Sequence, residues 1–257
     1  MLRIDNITKS FENELGEVKN VFNGLNLNIE QGDFISIIGS NGAGKSTLLD
    51  TITGNITPDS GKINIDGKDI TDMPKHKRGS FISKVYQNPS VGTAPSMTVF
   101  ENLSMADNKG KTFGFSLGLN KKRKEYYRSL LKELGLGIEN QMDTEVKSLS
   151  GGQRQCLALI MATLNKPKVL LLDEHTAALD PKTADLIMEL TEKIVREKQL
   201  TAIMVTHNLR YAVEYGDRLL MMHQGNAVMD AAAEKKKEIK IEDILEKFNE
   251  ISIECGN

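Results

Sequence analysis

The 257-residue chain has no tryptophan, few aromatic residues of any kind and two cysteines. Cys156 and Cys255 lie far apart, with neither pairing nor metal-ligand spacing. That sets aside a disulfide framework and a zinc module, and reads as reduced thiols in a cytosolic protein. A net charge of −2 removes any general attraction to nucleic acid. No apolar run approaches the roughly 20 residues a membrane helix needs, and the longest, Cys156 to Leu164, reads as a core helix. Met1-Leu2-Arg3-Ile4-Asp5 alternates like a strand instead of opening a signal peptide. The expectation is a chain soluble by itself, so that any work at a membrane requires another polypeptide to hold it there. Internal repeats are absent.

What is present centres on Phe34 to Gly54. Phe34-Ile35-Ser36-Ile37-Ile38 is short, apolar and β-branched, the mark of a buried strand. Gly39-Ser40-Asn41-Gly42-Ala43-Gly44-Lys45-Ser46 follows, matching the phosphate-loop pattern G-x-x-x-x-G-K-[ST] at every fixed position. Thr47 to Ile52 continues as a helix, with Gly54 as its stop. The order suits polyphosphate: glycines let backbone N–H groups crowd round the anion, and the helix adds its positive end. Lys45 would reach the β- and γ-phosphates and the Ser46 hydroxyl would ligate Mg²⁺. The pattern implies a nucleoside triphosphate.

Upstream, Ile4, Ile7, Leu25, Leu27 and Ile29 alternate as half-buried strands, and the intervening Lys9 to Asn23 reads as a polar loop. Within it Phe11 could stack on a purine or cap the sheet. Downstream, Asn55 to Gly61 reads as a turn, Lys62 to Gly67 as an edge strand with a hairpin turn, and Phe81 to Tyr86 as a strand ending at Gln87. An amide where a strand gives way to a loop suits a ligand contact, although such residues are commonly just solvated.

Beyond a loop at Ser90–Ser96 helical periodicity takes over, so residues 90–165 read as a helical insertion into an α/β core. Its basic run Lys121-Lys122-Arg123-Lys124 reads as a solvated helix start, with an anionic membrane surface as the alternative. The insertion closes on Leu149-Ser150-Gly151-Gly152-Gln153, where Ser150 is a natural N-cap for a helix running to about Asn165. Val169 to Leu172 is a buried strand with Asp173-Glu174 at its C-terminal end, where open parallel sheets bind ligands. Asp180-Pro181 starts the next helix. Ala202 to Thr206 is a further strand, and His207 after it reads as a phosphate contact. Leu219 to Met222 reads as the last strand, and Glu234–Lys240 as a solvated link. A short helix then carries Ile241, Ile244, Leu245 and Phe248 on one face.

These motifs, in this order, resemble an ATP-binding cassette ATPase over nearly the whole chain. Gly39–Thr47 is similar to Walker A, Gln87 to the Q-loop, Leu149–Gln153 to the signature, Val169–Glu174 to Walker B, Ala177–Asp180 to the D-loop and His207 to the H-switch. The resemblance implies one domain over 1–257. An ATPase core with a RecA-like fold and an antiparallel β subdomain would occupy 1–89 and 166–230, a helical signature subdomain 90–165, and a C-terminal linker and helix 231–257.

The resemblance also implies roles. Phe11 would stack on adenine, and Gly39, Ser40, Asn41, Gly42, Ala43, Gly44, Lys45, Ser46 and Thr47 would bind the phosphates of ATP. Ser46, Gln87 and Asp173 would hold Mg²⁺; Glu174 would be the general base, with His207 at the γ-phosphate. Ser150, Gly151, Gly152, Gln153 and Asp180 would act in trans on ATP held by a second cassette, making a homodimer the expected state. A membrane permease would dock near Val91–Met97, a substrate-binding protein would act indirectly, and nucleic acid would play no part. His175, Ala177, Cys156 and Met161 depart from the common pattern without removing a phosphate or metal ligand. The run Asp173 to Pro181 looks like cassettes of tryptophan or tyrosine importers, with a soluble assembly-factor ATPase as the alternative reading.

Overall fold

A computed structural model describes residues 1–109 and 121–254. In chain order the elements begin with β1 (Leu2–Glu12), β2 (Val18–Ile29), β3 (Phe34–Gly39), α1 (Lys45–Thr53), β4 (Ser60–Ile65) and β5 (Lys68–Asp69). Next come α2 (Lys75–Arg78), β6 (Ile82–Val85), α3 (Pro89–Gly92), α4 (Val99–Asp107), α5 (Lys121–Lys132), α6 (Gly151–Thr163), β7 (Val169–Asp173) and α7 (Pro181–Lys198). The chain continues through β8 (Thr201–Val205), α8 (Leu209–Glu214), β9 (Arg218–His223), β10 (Asn226–Ala232), α9 (Glu234–Glu238) and α10 (Ile241–Glu254). Two compact units result, Met1–Met73 with Thr201–Asn257, and Pro74–Leu200.

In the first unit β3 pairs in parallel with β8 on one side and β9 on the other, and β10 returns antiparallel along β9. Every residue of β3 and β8 is buried, which is why both read as mainly apolar runs without polar alternation: strands covered on both faces have no solvent side to mark. Ile38, Ala212, Leu219, Met221, Ile244 and Ile251 form one apolar cluster of this unit, tying α8 and α10 to the sheet. The isoleucine, leucine and methionine side chains among them each contribute about 1.5–3 kcal/mol when fully buried. A second, antiparallel sheet runs β2-β1-β4-β5.

Several sequence expectations are corrected here. Lys9–Asn23 is not a loop, because β1 and β2 stay paired out to Glu12 and Val18. Only residues 13–17 turn, and the Asn13 side chain accepts hydrogen bonds from the Leu15 and Glu17 amides at 3.0 and 2.9 Å. The ribbon is held by its backbone ladder, so its polar side chains gave no strand period. β4 lies between β1 and β5 instead of at an edge. β9 is followed by β10, and Glu234–Glu238 is a short helix whose Lys236 is buried, its ammonium donating to the Tyr215 and Gly216 carbonyls. Leu245 is 48% exposed, whereas Ile244 and Ile251 are buried.

In the second unit β6 and β7 pair in parallel, with Ile82 opposite Val169 and Val85 opposite Leu172. The expected core helix is α6, in which Cys156 to Ile160 are all buried. Burial pushes the Cys156 thiol up to about 12; Cys255 lies outside the described residues. Pro89–Gly92 is a short helix where a loop was expected, with the Asn88 side chain accepting from the Ser90 amide. Asn102 is fully buried and organises the segment after it, accepting from the Ala94 amide and donating to the carbonyls of Ala94, Met97 and Thr98. In the basic run, Arg123 pairs with Asp107 and Lys124 with Asp143, so these two charges are matched within the chain.

Candidate nucleotide site

In the first unit the phosphate loop leaves the C-terminal end of β3 and enters α1. Backbone crowding explains its first glycine, since a Cβ on Gly39 would lie 2.2 Å from the Met222 carbonyl oxygen. Lys45 is buried, and its ammonium donates to the Gly39 carbonyl at 2.7 Å and the Ser40 carbonyl at 2.9 Å. The loop thus encloses its own cation. Ser46 is exposed at the first turn of α1, where unpaired N–H groups and the helix dipole favour an anion.

The Thr206 amide donates to the Ile37 carbonyl at 3.1 Å, bringing the end of β8, and with it the exposed His207, to the same sheet edge as the loop. On the loop's other flank is a cavity of about 670 Å³, within the usual size of a small-molecule site. Lys19, Val21, Ser40, Gly42, His223 and Gln224 are among its lining residues. Phe11 is opposite Lys19 in the β1–β2 register, is 41% exposed, and carries the Lys9 ammonium 5.3 Å from its ring centre. His223 escaped sequence reading, yet its Nδ1 is 3.4 Å from the Ser40 hydroxyl. Its position at the end of a strand beside β3 was the available signal.

In the second unit the β6–β7 register carries Gln87 and Asp173-Glu174 to one sheet edge. Gln87 is exposed, just past Tyr86, whose carbonyl accepts from the buried Gln155 side chain at 3.2 Å. Gln155 was missed by sequence reading and ties α6 to the Gln87 segment. Glu174 is half-buried with φ of 48°, a left-handed conformation unusual for a residue with a side chain. Such backbone strain, of order 1–3 kcal/mol, tends to collect at functional positions. The neighbouring His175 is fully buried, and its Nε2 lies 3.1 Å from the Thr191 hydroxyl. That hydroxyl already donates to the Ile187 carbonyl at 2.7 Å, so Nε2 carries the proton and donates. Burial lowers the His175 pKa to about 4.

Ser150 and Gln153 form a reciprocal capping box at the start of α6, and Gln153 also donates to the Leu136 carbonyl at 3.1 Å. Gly152 is buried against α7: a Cβ there would meet Thr183 Cγ2 at 2.3 Å. Asp180 caps α7, and the Thr183 hydroxyl, followed by its amide, holds the carboxyl below the usual carboxylate range. Ser150–Gln153 and Asp180 are therefore brought side by side. Gly152 has a packing duty that the sequence did not disclose.

Among the described residues there is no cluster of three or more His, Cys, Asp or Glu side chains able to cage a metal. In the second unit the partly exposed Asp173 carboxylate, and in the first unit the exposed Ser46 hydroxyl, are each oxygen donors of the hard kind Mg²⁺ takes, an ion that keeps waters and substrate phosphates among its ligands. Asp173 already has a cationic neighbour, the Lys84 ammonium at 2.9 Å.

A family profile described as ABC transporter matches residues 22–177. The chain belongs to the ABC transporter family. It is the ATP-binding, ATP-hydrolysing subunit of an ABC importer. The cassette is 53% identical over 248 residues to a tyrosine transport ATP-binding protein of Clostridioides difficile (strain R20291), covering 96% of this chain and 98% of that one. It is 37% identical over 229 residues to a spermidine/putrescine import ATP-binding protein of Spiroplasma citri, covering 88% of this chain and 59% of that longer protein. Among solved structures, the cassette is similar to a dimeric ATP-binding cassette in a post-hydrolysis state bound to ADP and Pi. That match has a TM-score of 0.78 at 30% identity, covering 90% of this chain and 98% of the other. A nucleotide-free cassette from an ABC transporter matches with a TM-score of 0.79 at 25% identity, over 100% and 99% of the two chains. Among the described residues no helix is long and apolar enough to cross a membrane.

Proposed function

We propose that two copies of this cassette close on ATP and reopen after its hydrolysis, and that this motion drives a membrane permease importing an aromatic amino acid such as tyrosine. The observation that carries the cargo is the near full-length, 53% identity to a tyrosine transport ATP-binding protein. In this reading residues 1–257 act as one cassette, peripheral on the cytoplasmic face of the membrane through the permease, with a substrate-binding protein acting at one remove and nucleic acid uninvolved.

Gly39 to Thr47 bind the triphosphate, Lys45 giving up its loop carbonyls for phosphate oxygens, and Phe11 stacks on the base. Ser46, Gln87 and Asp173 hold Mg²⁺, which neutralises phosphate charge when bound. Glu174 takes the proton of the attacking water and His207 stabilises the γ-phosphate, with Gln87 sensing it. Ser150, Gly151, Gly152 and Gln153, together with Asp180, complete the site held by the other copy. Preorganised donors aimed at developing charge supply the main stabilisation of phosphoryl transfer, so a lone cassette is expected to be a weak ATPase.

The test uses the full chain carrying Glu174→Gln, with light scattering at saturating Mg-ATP. The expected result is a dimer with hydrolysis slowed by roughly 10²–10⁴-fold, the usual size of a general-base contribution. A monomer would overturn the paired arrangement. Unchanged tyrosine uptake by cells lacking this chain would overturn the cargo.

A further inference from the structure

Lys84 is a charged residue inside a short strand, β6, with a side chain only 6% exposed. Burying an ammonium is expensive unless a partner of opposite charge takes it up. Its position explains how this is met. Lys84 is opposite Leu171 in the parallel register, and strand side chains alternate with a period of two. Asp173, two residues beyond Leu171, therefore lies on the same face one step along. The ammonium nitrogen is 2.9 Å from Asp173 Oδ2, and it also lies 5.2 Å from the centre of the Tyr86 ring on that face. The Asp173 side chain is 19% exposed, so the pair is open to solvent on the carboxylate's side only.

From this geometry we infer that Lys84 is a positioning residue and tethered counter-cation for Asp173, fixing the carboxylate through Oδ2 and weakening its hold on a divalent cation. The inference rests on the reading of Asp173 as a Mg²⁺ ligand. Two consequences oppose each other. An orienting hydrogen bond from a neighbouring side chain strengthens a ligand by holding it in place. A fixed positive charge close to the metal position repels the ion, and a partly desolvated site screens that repulsion poorly. Repulsion wins here, because the metal carries two charges and the ammonium, its side chain 6% exposed, is held against Asp173 Oδ2 at 2.9 Å. Lys84 thereby favours a cation that arrives already bound to nucleotide, whose phosphate charge outweighs the lysine's, over the free ion.

The experiment titrates Mn²⁺ into the full chain without nucleotide and again with adenosine 5′-(β,γ-imido)triphosphate, following free Mn²⁺ by its electron paramagnetic resonance signal. Without nucleotide, Lys84→Met is expected to tighten Mn²⁺ by about 10-fold, the size of effect that groups next to metal ligands have, and by less with the analogue present, whereas Lys84→Arg stays near wild type in both. Nucleotide affinity in EDTA should be the same in all three. Unchanged or weaker Mn²⁺ binding by Lys84→Met, or an equal shift in Lys84→Arg, would overturn the inference. Should Lys84→Met fail to fold, Lys84→Gln carries the same expectation. Asp173→Asn separates the two levels. If Asp173→Asn binds Mn²⁺ as wild type does, the ligand reading has failed; if only that variant weakens and the Lys84 variants are silent, the counter-cation has.

Discussion

Gly152→Ala tests what the signature loop is for. The added Cβ would sit 2.3 Å from Thr183 Cγ2, well inside the ~3.5 Å at which carbon atoms ordinarily touch. Thr183 is in the first turn of α7, its amide bonded to the Asp180 carboxylate at 3.1 Å, and a β-branched side chain in a helix has little choice of rotamer. Overpacking of this kind costs about 1–3 kcal/mol. Replacing glycine by alanine within a helix returns up to about 1 kcal/mol. A net loss of about 1–2 kcal/mol should lower Tm by roughly 2–8 °C in a chain of this size. Scanning calorimetry on Gly152→Ala, Thr183→Ser and the double variant checks it. Thr183→Ser removes the offending methyl and should restore most of the loss when combined with Gly152→Ala. Equal Tm values for Gly152→Ala and the double variant would refute the steric account. ATPase activity that stays absent after Tm has recovered would assign the remaining defect to the exposed backbone of the loop.

Other outcomes follow from single contacts. Because His175 is buried neutral with a pKa near 4 against an ordinary 6.5, its contribution is complete above about pH 6.5 and is lost as pH falls from there towards 4. Urea unfolding should show a loss of roughly 3 kcal/mol over that window, missing from His175→Leu; parallel pH profiles would count against it. Gly39→Ala should abolish nucleotide binding, since the loop cannot move off the Met222 carbonyl without leaving β3; measurable ATP affinity by calorimetry would contradict this. In a Cys255→Ser background, Cys156, fully buried in α6, should resist a maleimide at pH 8 until the protein is unfolded; prompt native-state labelling would refute this. Phe11→Ala should weaken ATP by about 0.5–1.5 kcal/mol, whereas equal affinity for ATP and inorganic triphosphate in the parent would mean that the ring does not touch the base.

The parts legible in the sequence were those in which local chemistry and backbone agree. β3, β7 and β8 declared themselves because burial on both faces makes them mainly apolar, with no polar alternation. Asp180-Pro181 and Ser150 with Gln153 declared their helix starts because caps act over three or four residues. The β1–β2 ribbon stayed hidden beyond Lys9 because ladder pairing, not apolar alternation, holds it. Lys84, Gln155 and His175 were hidden for a different reason: each is a polar group whose partner lies on another element, Asp173, the Tyr86 carbonyl and Thr191, so nothing near it in sequence shows that it is satisfied. Gly152 looked like a phosphate-binding glycine because the motif names it so, while its contact with Thr183 depends on how α6 meets α7.

The enclosed Lys45 ammonium has a consequence for the shape of its loop. Because that side chain bridges two of the loop's own carbonyls, it braces the curvature as well as supplying charge, and Lys45→Ala should loosen the loop besides removing a cation. The lysine acts as a placeholder, and small oxyanions able to lure it away, such as pyrophosphate, should compete with nucleotide at that very spot.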